Sequence, residues 1–310
     1  MGEITKVKTA NHEEWRELRS HYIGGSDAAA VVGLNPYSSP YSLWAEKTGR
    51  TPGFAGNLAT EVGTYLEEFV AQKFAQETGK KVRKCNQSFL NSEFPFAIAN
   101  IDREIIGEDA GLEIKTTDSL NLKKFSGGEY PANYYVQCVH YMAITGKKRW
   151  YLAVLIGNRE FMWFVIERDD DEIAALMTAE AEFWELVKTD TPPAIDGTQA
   201  TSEAIKTIYA DSNDDSVADL TAFSKNLRQY MDLKSQIKEL EAIADEAANK
   251  IKEFMGESGC GECEGFKVSW KSQIRRTFDR KRFENEHPDL DLSGYFKESA
   301  SRPFKVAEIT

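Results

Sequence analysis

The strongest constraint on the fold is the alternation of helical and strand patterns between residues 60 and 188. Apolar residues recur at helical spacing in three segments, which are 60–78, 132–145 and 171–188. The segments between these helices are rich in β-branched and aromatic residues and predict two hairpins, with strands at 96–105, 112–117, 149–156 and 159–167. This order predicts an α/β fold in which helices flank a mixed central sheet.

The first fifty residues predict short helices around a glycine turn. A helical pattern begins at residue 13 and is interrupted by Ile23-Gly24-Gly25-Ser26-Asp27. Ser26 or Asp27 is a natural N-cap for the small-residue run that follows. Pro40 suits the start of a further helix over 41–48.

Changes in composition predict three regions along the chain. Residues 1–195 hold the α/β pattern, residues 196–218 are acidic and polar and are expected to form a linker, and residues 219–310 are mostly helical. Within 219–256, apolar residues alternate by three and four, but the middle is less regular, with Lys234 on the seam. This pattern predicts a coiled coil or a helical hairpin, followed by a short strand at 266–270.

Composition narrows the class of protein and its location. A net charge of -12 argues against a protein that coats nucleic acid through bulk electrostatics, so any DNA contact has to be local. The sequence contains no apolar run of about 20 residues and its first residues lack signal-peptide character, so we expect a cytoplasmic protein without a membrane partner. Four cysteines in a chain of 310 residues are expected to be reduced thiols.

The chemistry centres on the first predicted hairpin. Side chains alternate along a strand, so Glu113 and Lys115 point to the same face. Asp102 lies on the preceding strand, where antiparallel pairing brings it beside Glu113. Two carboxylates and a lysine are then expected to converge on one spot.

Such a set suits metal-dependent phosphodiester hydrolysis. Mg²⁺ prefers a few carboxylate oxygens together with water and phosphate, and Mn²⁺ can replace it. Asp102 and Glu113 are the expected ligands, with the Ile114 carbonyl as a third. Lys115 is expected to orient the attacking water or to stabilise the developing negative charge. A Glu-x-Lys triplet alone, however, is common on solvated strands.

Two helical residues strengthen the functional interpretation. Glu67 lies beside the apolar face of helix 60–78, where a carboxylate needs a partner or a metal, and it is a further candidate ligand. Gln137 lies one helical turn from Tyr141 and is placed to touch the active-site lysine or a metal-bound water. The alternatives are a solvated boundary carboxylate and a surface amide.

Taken together, these residues resemble the YqaJ-type viral recombinase family, which is related to lambda exonuclease within the PD-(D/E)xK nucleases. The resemblance covers roughly residues 12–190. It is carried by Arg19, the block at 23–29, Gly63-x-x-Leu66-Glu67, Asp102, Gly111-Leu112-Glu113-Ile114-Lys115 and Gln137-x-x-x-Tyr141. Ile101 stands where the superfamily name has proline. The resemblance implies a restriction-endonuclease-like core.

The resemblance also implies an activity. It is a Mg²⁺-dependent exonuclease that digests one strand of duplex DNA from the 5′ end and leaves 3′ overhangs for recombination by strand annealing. Arg19 and Ser26 match positions that hold the terminal 5′-phosphate, and Asn100 stands where lambda exonuclease has a serine. Implied partners are DNA ends, a single-strand annealing protein and further copies in a ring-like trimer, in a bacterial host of a phage or prophage.

Basic residues outside this set are candidates for contact with the DNA backbone. Lys123 and Lys124 directly follow the catalytic strand, and a second basic cluster lies at 271–282. Solvation of a loop or of a polar face explains either group equally well. Two other functions remain open on the sequence: an endonuclease of restriction or repair type with the same chemistry, and a non-catalytic protein that binds DNA ends.

Overall fold

The structure is a computed structural model that describes residues 2–297 and 301–309. The chain divides into two compact units, Met1–Tyr209 and Ala210–Thr310. The helices are α1 (His12–Ser20), α2 (Gly25–Val31), α3 (Pro40–Lys47), α4 (Leu58–Thr78), α5 (Ala132–Thr145), α6 (Asp170–Lys188), α7 (Gln199–Ile208), α8 (Ser224–Met255) and α9 (Arg280–Glu286). The strands are β1 (Ile4–Val7), β2 (Ile23–Gly24), β3 (Val82–Lys84), β4 (Ser88–Asn91), β5 (Ala97–Asn100), β6 (Arg103–Ile105), β7 (Ala110–Thr117), β8 (Arg149–Ile156), β9 (Glu160–Glu167), β10 (Cys260–Cys263) and β11 (Phe266–Ser269).

The first unit is built on a five-stranded mixed sheet. Its strand order is β3-β6-β7-β8-β9, with β7 and β8 parallel and the other pairs antiparallel. One face of β7 packs Leu112 and Ile114 against Val70 and Phe74 of α4. Helix α5 packs on the other face of the sheet, against buried side chains of β8. The predicted α/β class, a mixed sheet flanked by helices, is confirmed.

The prediction of one continuous strand over 96–105 is wrong. Residues 97–100 form β5 in a second, four-stranded sheet of order β1-β4-β5-β2, whereas 103–105 form β6 in the central sheet. Ile101 and Asp102 lie at the crossing between the two sheets. At this break the Asp102 carboxylate accepts a hydrogen bond from the backbone N–H of Ile114.

The glycine turn near residue 24 also differs from expectation. Helix α2 begins at Gly25 with Gly24 as its N-cap, so the prediction that Ser26 or Asp27 caps this helix is wrong. Asp27 instead lies at the third helical position, and its Oδ2 accepts the Gly24 N–H at 3.0 Å. Gly25 is required for packing, because a Cβ at this position would overlap the ring of Tyr141.

The predicted linker 196–218 contains helix α7 in its first half, so that half of the prediction is wrong. Thr201 and Ala204 of α7 are buried. The Thr201 hydroxyl lies 2.7 Å from the Ser39 hydroxyl at the start of α3. This packing extends the first compact unit to Tyr209 rather than to 195.

The second unit is dominated by α8, a single helix of 32 residues. The alternative of a helical hairpin over 219–256 is therefore wrong. Residues 260–263 form β10 and pair with β11. Cys260 and Cys263 are free thiols, as are Cys85 and Cys138, in agreement with the prediction of reduced cysteines. Among the described residues, no helix is long and apolar enough to cross a membrane.

Candidate active site

Strand β7 presents a glutamate and a lysine on the face that α5 covers. The Lys115 Nζ lies 2.7 Å from Glu113 Oε1. Glu113 is 2% exposed, whereas the Lys115 side chain retains 22% exposure. Leu112 and Ile114, which alternate with them, anchor the strand in the core on the opposite face. The predicted alternation of the Glu-x-Lys segment is thus present in the structure.

Asp102 joins this pair through the register of the hairpin. Arg103 pairs with Leu112, so the next residue back, Asp102, comes opposite Glu113. The Asp102 Oδ2 accepts the Ile114 N–H at 2.8 Å, which brings the Ile114 backbone to the carboxylate. Burial and the neighbouring charge of Glu113 raise the pKa of Asp102 well above its usual range. The half-buried Asp102 and the buried Glu113 therefore repel each other at this position.

Gln137 of α5 orients the charged pair. Its Oε1 accepts a hydrogen bond from Lys115 Nζ, and its Nε2 donates to Glu113 Oε1 and to the Tyr141 hydroxyl, each at 2.8 Å. The side chain is 7% exposed, so the alternative of a surface amide does not apply. Gln137 fixes the positions of the lysine and the glutamate relative to each other.

The electrostatics of the pair leave one acceptor unused. Burial lowers the pKa of Lys115, but Glu113 and Asp102 outweigh this effect, and the pKa lies above its ordinary value. Lys115 is therefore a cation at neutral pH. Glu113 Oε2 is buried and has no hydrogen-bond partner among the described residues. A buried carboxylate oxygen without a donor is costly unless a cation approaches it.

Glu67 lies at the same pocket but has a partner already. Its Oε1 accepts a hydrogen bond from Arg103, whose other nitrogen lies 3.0 Å from Glu68. Lys84 approaches Glu67 to 4.0 Å. Sequence reasoning missed Arg103, although a signal was present. Arg103 shares the buried face of β6 with Ile105, and a buried charge requires a partner.

A pocket of about 280 Å³ joins the carboxylates to the predicted phosphate-binding residues. Its lining includes Arg19, Ser26, Glu67, Asn100, Asp102, Glu113, Gln137 and Tyr141. Arg19 donates a hydrogen bond to the Ser26 hydroxyl. Asn100 uses its side-chain oxygen to accept from Trp15 Nε1 at 3.0 Å and from the Ser88 hydroxyl at 2.6 Å. The three predicted phosphate residues therefore share one pocket with the carboxylates.

Asp27, which the sequence singled out only as a possible cap, and Lys47, which it did not single out, hold Arg19 in place. Lys47 has a side chain only 4% exposed, and its Nζ lies 2.9 Å from Asp27 Oδ2. The same ammonium donates to the Tyr22 carbonyl at 2.8 Å at the end of α1. Asp27 Oδ1 in turn lies 3.6 Å from the Arg19 guanidinium. The burial of Asp27 favours its neutral form, but Lys47 and Arg19 hold its pKa below the usual range.

Lys123 and Lys124 are not among the residues that line this pocket. Both are exposed, in the 3-10 segment Ser119–Gly128 that follows β7. A contact of Lys123 or Lys124 with DNA remains a prediction.

Tyr134 is a further residue that sequence reasoning missed. The Lys115 Nζ lies 5.3 Å from the centre of its ring.

The donor set fits a hard cation bound by few protein ligands. Among the described residues, no group of three or more His, Cys, Asp and Glu side chains is arranged to hold a metal. Mg²⁺ requires fewer, because it commonly binds through one or two carboxylates and completes its shell with water and phosphate. Asp102 and Glu113 would supply that pair, and the Ile114 backbone lies beside Asp102.

The mixed sheet, its flanking helices and the Asp, Glu-x-Lys arrangement define the PD-(D/E)xK fold class. The family model described as "YqaJ-like viral recombinase domain" matches residues 14–148. The chain is 37% identical over 312 residues to the "Uncharacterized protein YqaJ" of Bacillus subtilis (strain 168), across 99% of this chain and 98% of that protein. The chain therefore belongs to the YqaJ-like viral recombinase family, and the family predicted from its motifs is confirmed.

Solved structures are similar to part of this chain. The alkaline exonuclease LHK-Exo from Laribacter hongkongensis is 22% identical, with a TM-score of 0.49, over 58% of this chain and 94% of that one. A phage-related exonuclease from Haemophilus somnus 129PT is 14% identical, with a TM-score of 0.43, over 57% of this chain and 99% of that one.

Proposed function

We propose that this protein is a metal-dependent deoxyribonuclease that degrades one strand of duplex DNA from its 5′ end and leaves a 3′ overhang. The observation that carries the proposal is that Asp102 and Glu113 line one pocket with Arg19 and Ser26, and that Lys115 Nζ lies 2.7 Å from Glu113 Oε1. The family description and the names of the similar structures, which are exonucleases, support a nuclease of phage recombination.

In this proposal Asp102 and Glu113, with the Ile114 carbonyl, hold Mg²⁺, and Mn²⁺ can substitute. The unpartnered Glu113 Oε2 and the raised pKa of Asp102 support the assignment, because a cation would relieve both. The bound cation would polarise the phosphoryl group and lower the pKa of a coordinated water. Glu67, which is bonded to Arg103, is the ligand with the weakest support.

The chain's own side chains would supply the rest of the chemistry. Lys115 is cationic and is held by Gln137, so it can stabilise the negative charge that develops on the scissile phosphate. Arg19 and Ser26 would bind the terminal 5′-phosphate, since a guanidinium and a hydroxyl form an anion site. The distance between the phosphate-binding residues Arg19 and Ser26 and the metal-binding residues Asp102 and Glu113 would then set the length of the product.

The test is digestion of linear duplex DNA with Mg²⁺, comparing 5′-phosphorylated ends, 5′-hydroxyl ends and closed circular plasmid. We expect loss of the linear substrates only, faster with 5′-phosphate. Lys115→Ala should abolish cleavage, whereas Lys188→Ala, which removes an exposed lysine outside the pocket, should not. Cutting of the closed circle would favour an endonuclease. DNA-end binding without metal-dependent cleavage would leave a non-catalytic role.

The proposal extends to partners and location. The recombination role implies an annealing protein that receives the 3′ overhang, a ring-like trimer and a place in the cytoplasm of a bacterial host. Co-purification of an annealing protein with the tagged chain, and the mass of the purified protein in solution, test the first two. A monomer that digests DNA processively would contradict the ring.

A further inference from the structure

Helix α8 carries an apolar repeat with the spacing of a coiled coil. Apolar residues recur at alternating intervals of three and four over 230–254, in the order Tyr230, Leu233, Ile237, Leu240, Ala244, Ala247, Ile251 and Phe254. This is a seven-residue repeat sustained for more than three heptads, which is the length at which such a pattern indicates helix pairing. The repeat extends for about 36 Å along the helix axis.

The apolar face of α8 is largely uncovered within the chain. Ile237 is 46% exposed, Leu240 is 65% exposed and Phe254 is 94% exposed. At the N-terminal end, the ring of Phe304 lies 5.6 Å from that of Tyr230, so the tail covers this first position in part. A continuous stripe of exposed aliphatic and aromatic side chains is unfavourable in water unless another surface covers it.

The size of the side chains along the stripe is self-complementary when two copies run antiparallel. Each first position of one heptad then faces the fourth position of the other, and the pairing is centred on residue 242. The layers are Tyr230 with Phe254 of the second copy, Leu233 with Ile251, Ile237 with Ala247, and Leu240 with Ala244. Large residues meet alanines in the four central layers, because the twofold axis repeats the Ile237–Ala247 and Leu240–Ala244 pairings, and this permits close packing of the helices.

The charges of α8 favour the same orientation. Residues 224–238 carry four basic side chains and one acidic side chain, whereas residues 239–255 carry five acidic and two basic ones. An isolated helix is more stable with acidic residues near its N-terminus and basic residues near its C-terminus, because the helix dipole is positive at the N-terminus and negative at the C-terminus. Helix α8 has the opposite distribution. Antiparallel pairing places the basic half of each helix beside the acidic half of the other and aligns the dipoles in opposition. Parallel pairing would place like halves together.

We infer that α8 is a self-association surface whose partner is α8 of a second copy of this chain, paired antiparallel about residue 242. The inference is independent of the nuclease proposal, because no residue of the candidate active site lies in the second unit. The pairing would double the mass of whatever assembly the first unit forms. In a nuclease acting on DNA ends, it would join two such assemblies.

The test compares two alanines that lie two residues apart on α8. Ala244 is in the predicted interface and Ala242 is on the opposite side of the helix, and both are exposed in the chain. Ala244→Glu and Ala242→Glu make the same chemical change at nearly the same helix position. The full chain and both variants are studied by sedimentation velocity and light scattering over a concentration series, with helix content followed by circular dichroism.

We expect the Ala242→Glu protein to retain the mass of the unmodified chain and Ala244→Glu to halve it, with a dissociation constant raised more than about tenfold by the buried charge. Equal masses for the two variants, or a chain that stays unpaired at every concentration, would overturn the inference. Salt tests the orientation. Antiparallel pairing of opposite charges should weaken as NaCl rises, whereas association that strengthens with salt would overturn the antiparallel arrangement.

Discussion

Replacing His140 with leucine is expected to destabilise the first unit strongly, because it leaves a buried carboxylate without its partner. His140 on α5 and Glu180 on α6 are both 0% exposed, and His140 Nδ1 lies 2.8 Å from Glu180 Oε1. The other ring nitrogen, Nε2, lies 3.0 Å from the Ile98 carbonyl. Glu180 Oε2 has no hydrogen-bond partner among the described residues. The substitution therefore acts on Oε1, which loses its hydrogen bond to His140.

The magnitude follows from the charge state of the pair. Both ring nitrogens of His140 face oxygen atoms, and this arrangement favours the cationic ring, although burial also raises the pKa of Glu180. Burial opposes this charge, but Glu180 and the Ile98 carbonyl raise the pKa of His140 above its ordinary value. Removal of one member of a buried ion pair costs about 3–5 kcal/mol. Because a domain is stable by about 5–15 kcal/mol, the loss is a large fraction of the total.

The double variant His140→Leu/Glu180→Met separates the charge from the packing. It removes both members of the pair and keeps similar volume, so most of the stability should return. A raised histidine pKa contributes stability that is present below about pH 6.5 and is lost as the pH rises through the folded-state value. The double variant should therefore lose less stability between neutral and alkaline pH than the unmodified protein.

The assay is urea unfolding followed by tryptophan fluorescence, since five of the six tryptophans lie in the first unit. The midpoints of the unmodified protein, of His140→Leu and of the double variant are compared at neutral pH. Equal losses in the single and the double variant would refute the reasoning, because the cost would then come from packing rather than from an unpaired carboxylate. A single variant within about 1 kcal/mol of the unmodified protein would refute it as well.

Three further predictions concern the same unit. Burial opposes the ionisation of Glu108, but hydrogen bonds from a lysine, a tyrosine and an arginine hold its pKa at about 2. Glu108→Gln should therefore cost about 1 kcal/mol at pH 7 after solvent screening, and urea midpoints of variant and parent should converge as the pH falls from 4.5 towards 2. Gly111→Ala should lower the thermal midpoint sharply, because the new Cβ would overlap the Trp150 ring, and an unchanged midpoint would contradict this geometry. Gln137→Leu removes the acceptor of Lys115 and should slow single-turnover DNA cleavage about 10- to 100-fold, and an unchanged rate would show that the lysine needs no such support.

Helices and strands with a strong periodic pattern were predicted well from the sequence. Helix α5 over 132–145 and strand β8 over 149–156 have the predicted bounds, because their apolar residues follow the period of one element without interruption. Strands β1 to β4 were not predicted. Each is at most four residues long, so too few side chains alternate to give a period.

The sequence also predicted which residues share the site. Local rules explain only some of these predictions. Glu113 and Lys115 follow from strand alternation, and Asp102 follows from hairpin register, both of which are local rules. Arg19 and Ser26 were assigned through a resemblance to a family. Their meeting with the carboxylates in one pocket depends on the packing of α1 against β2 and of α2 against α5.

The sequence by itself therefore determined the α/β class, the Glu-x-Lys strand and the heptad repeat of α8, since each depends on a period or on neighbours close along the chain. Only the tertiary structure decided that Arg103 engages Glu67, that Lys47 holds Asp27 and that His140 pairs with Glu180. These pairs join residues from different elements, up to 40 positions apart in the last case. A buried charge requires a partner, but the sequence does not say which of many opposite charges the folded chain will bring to it.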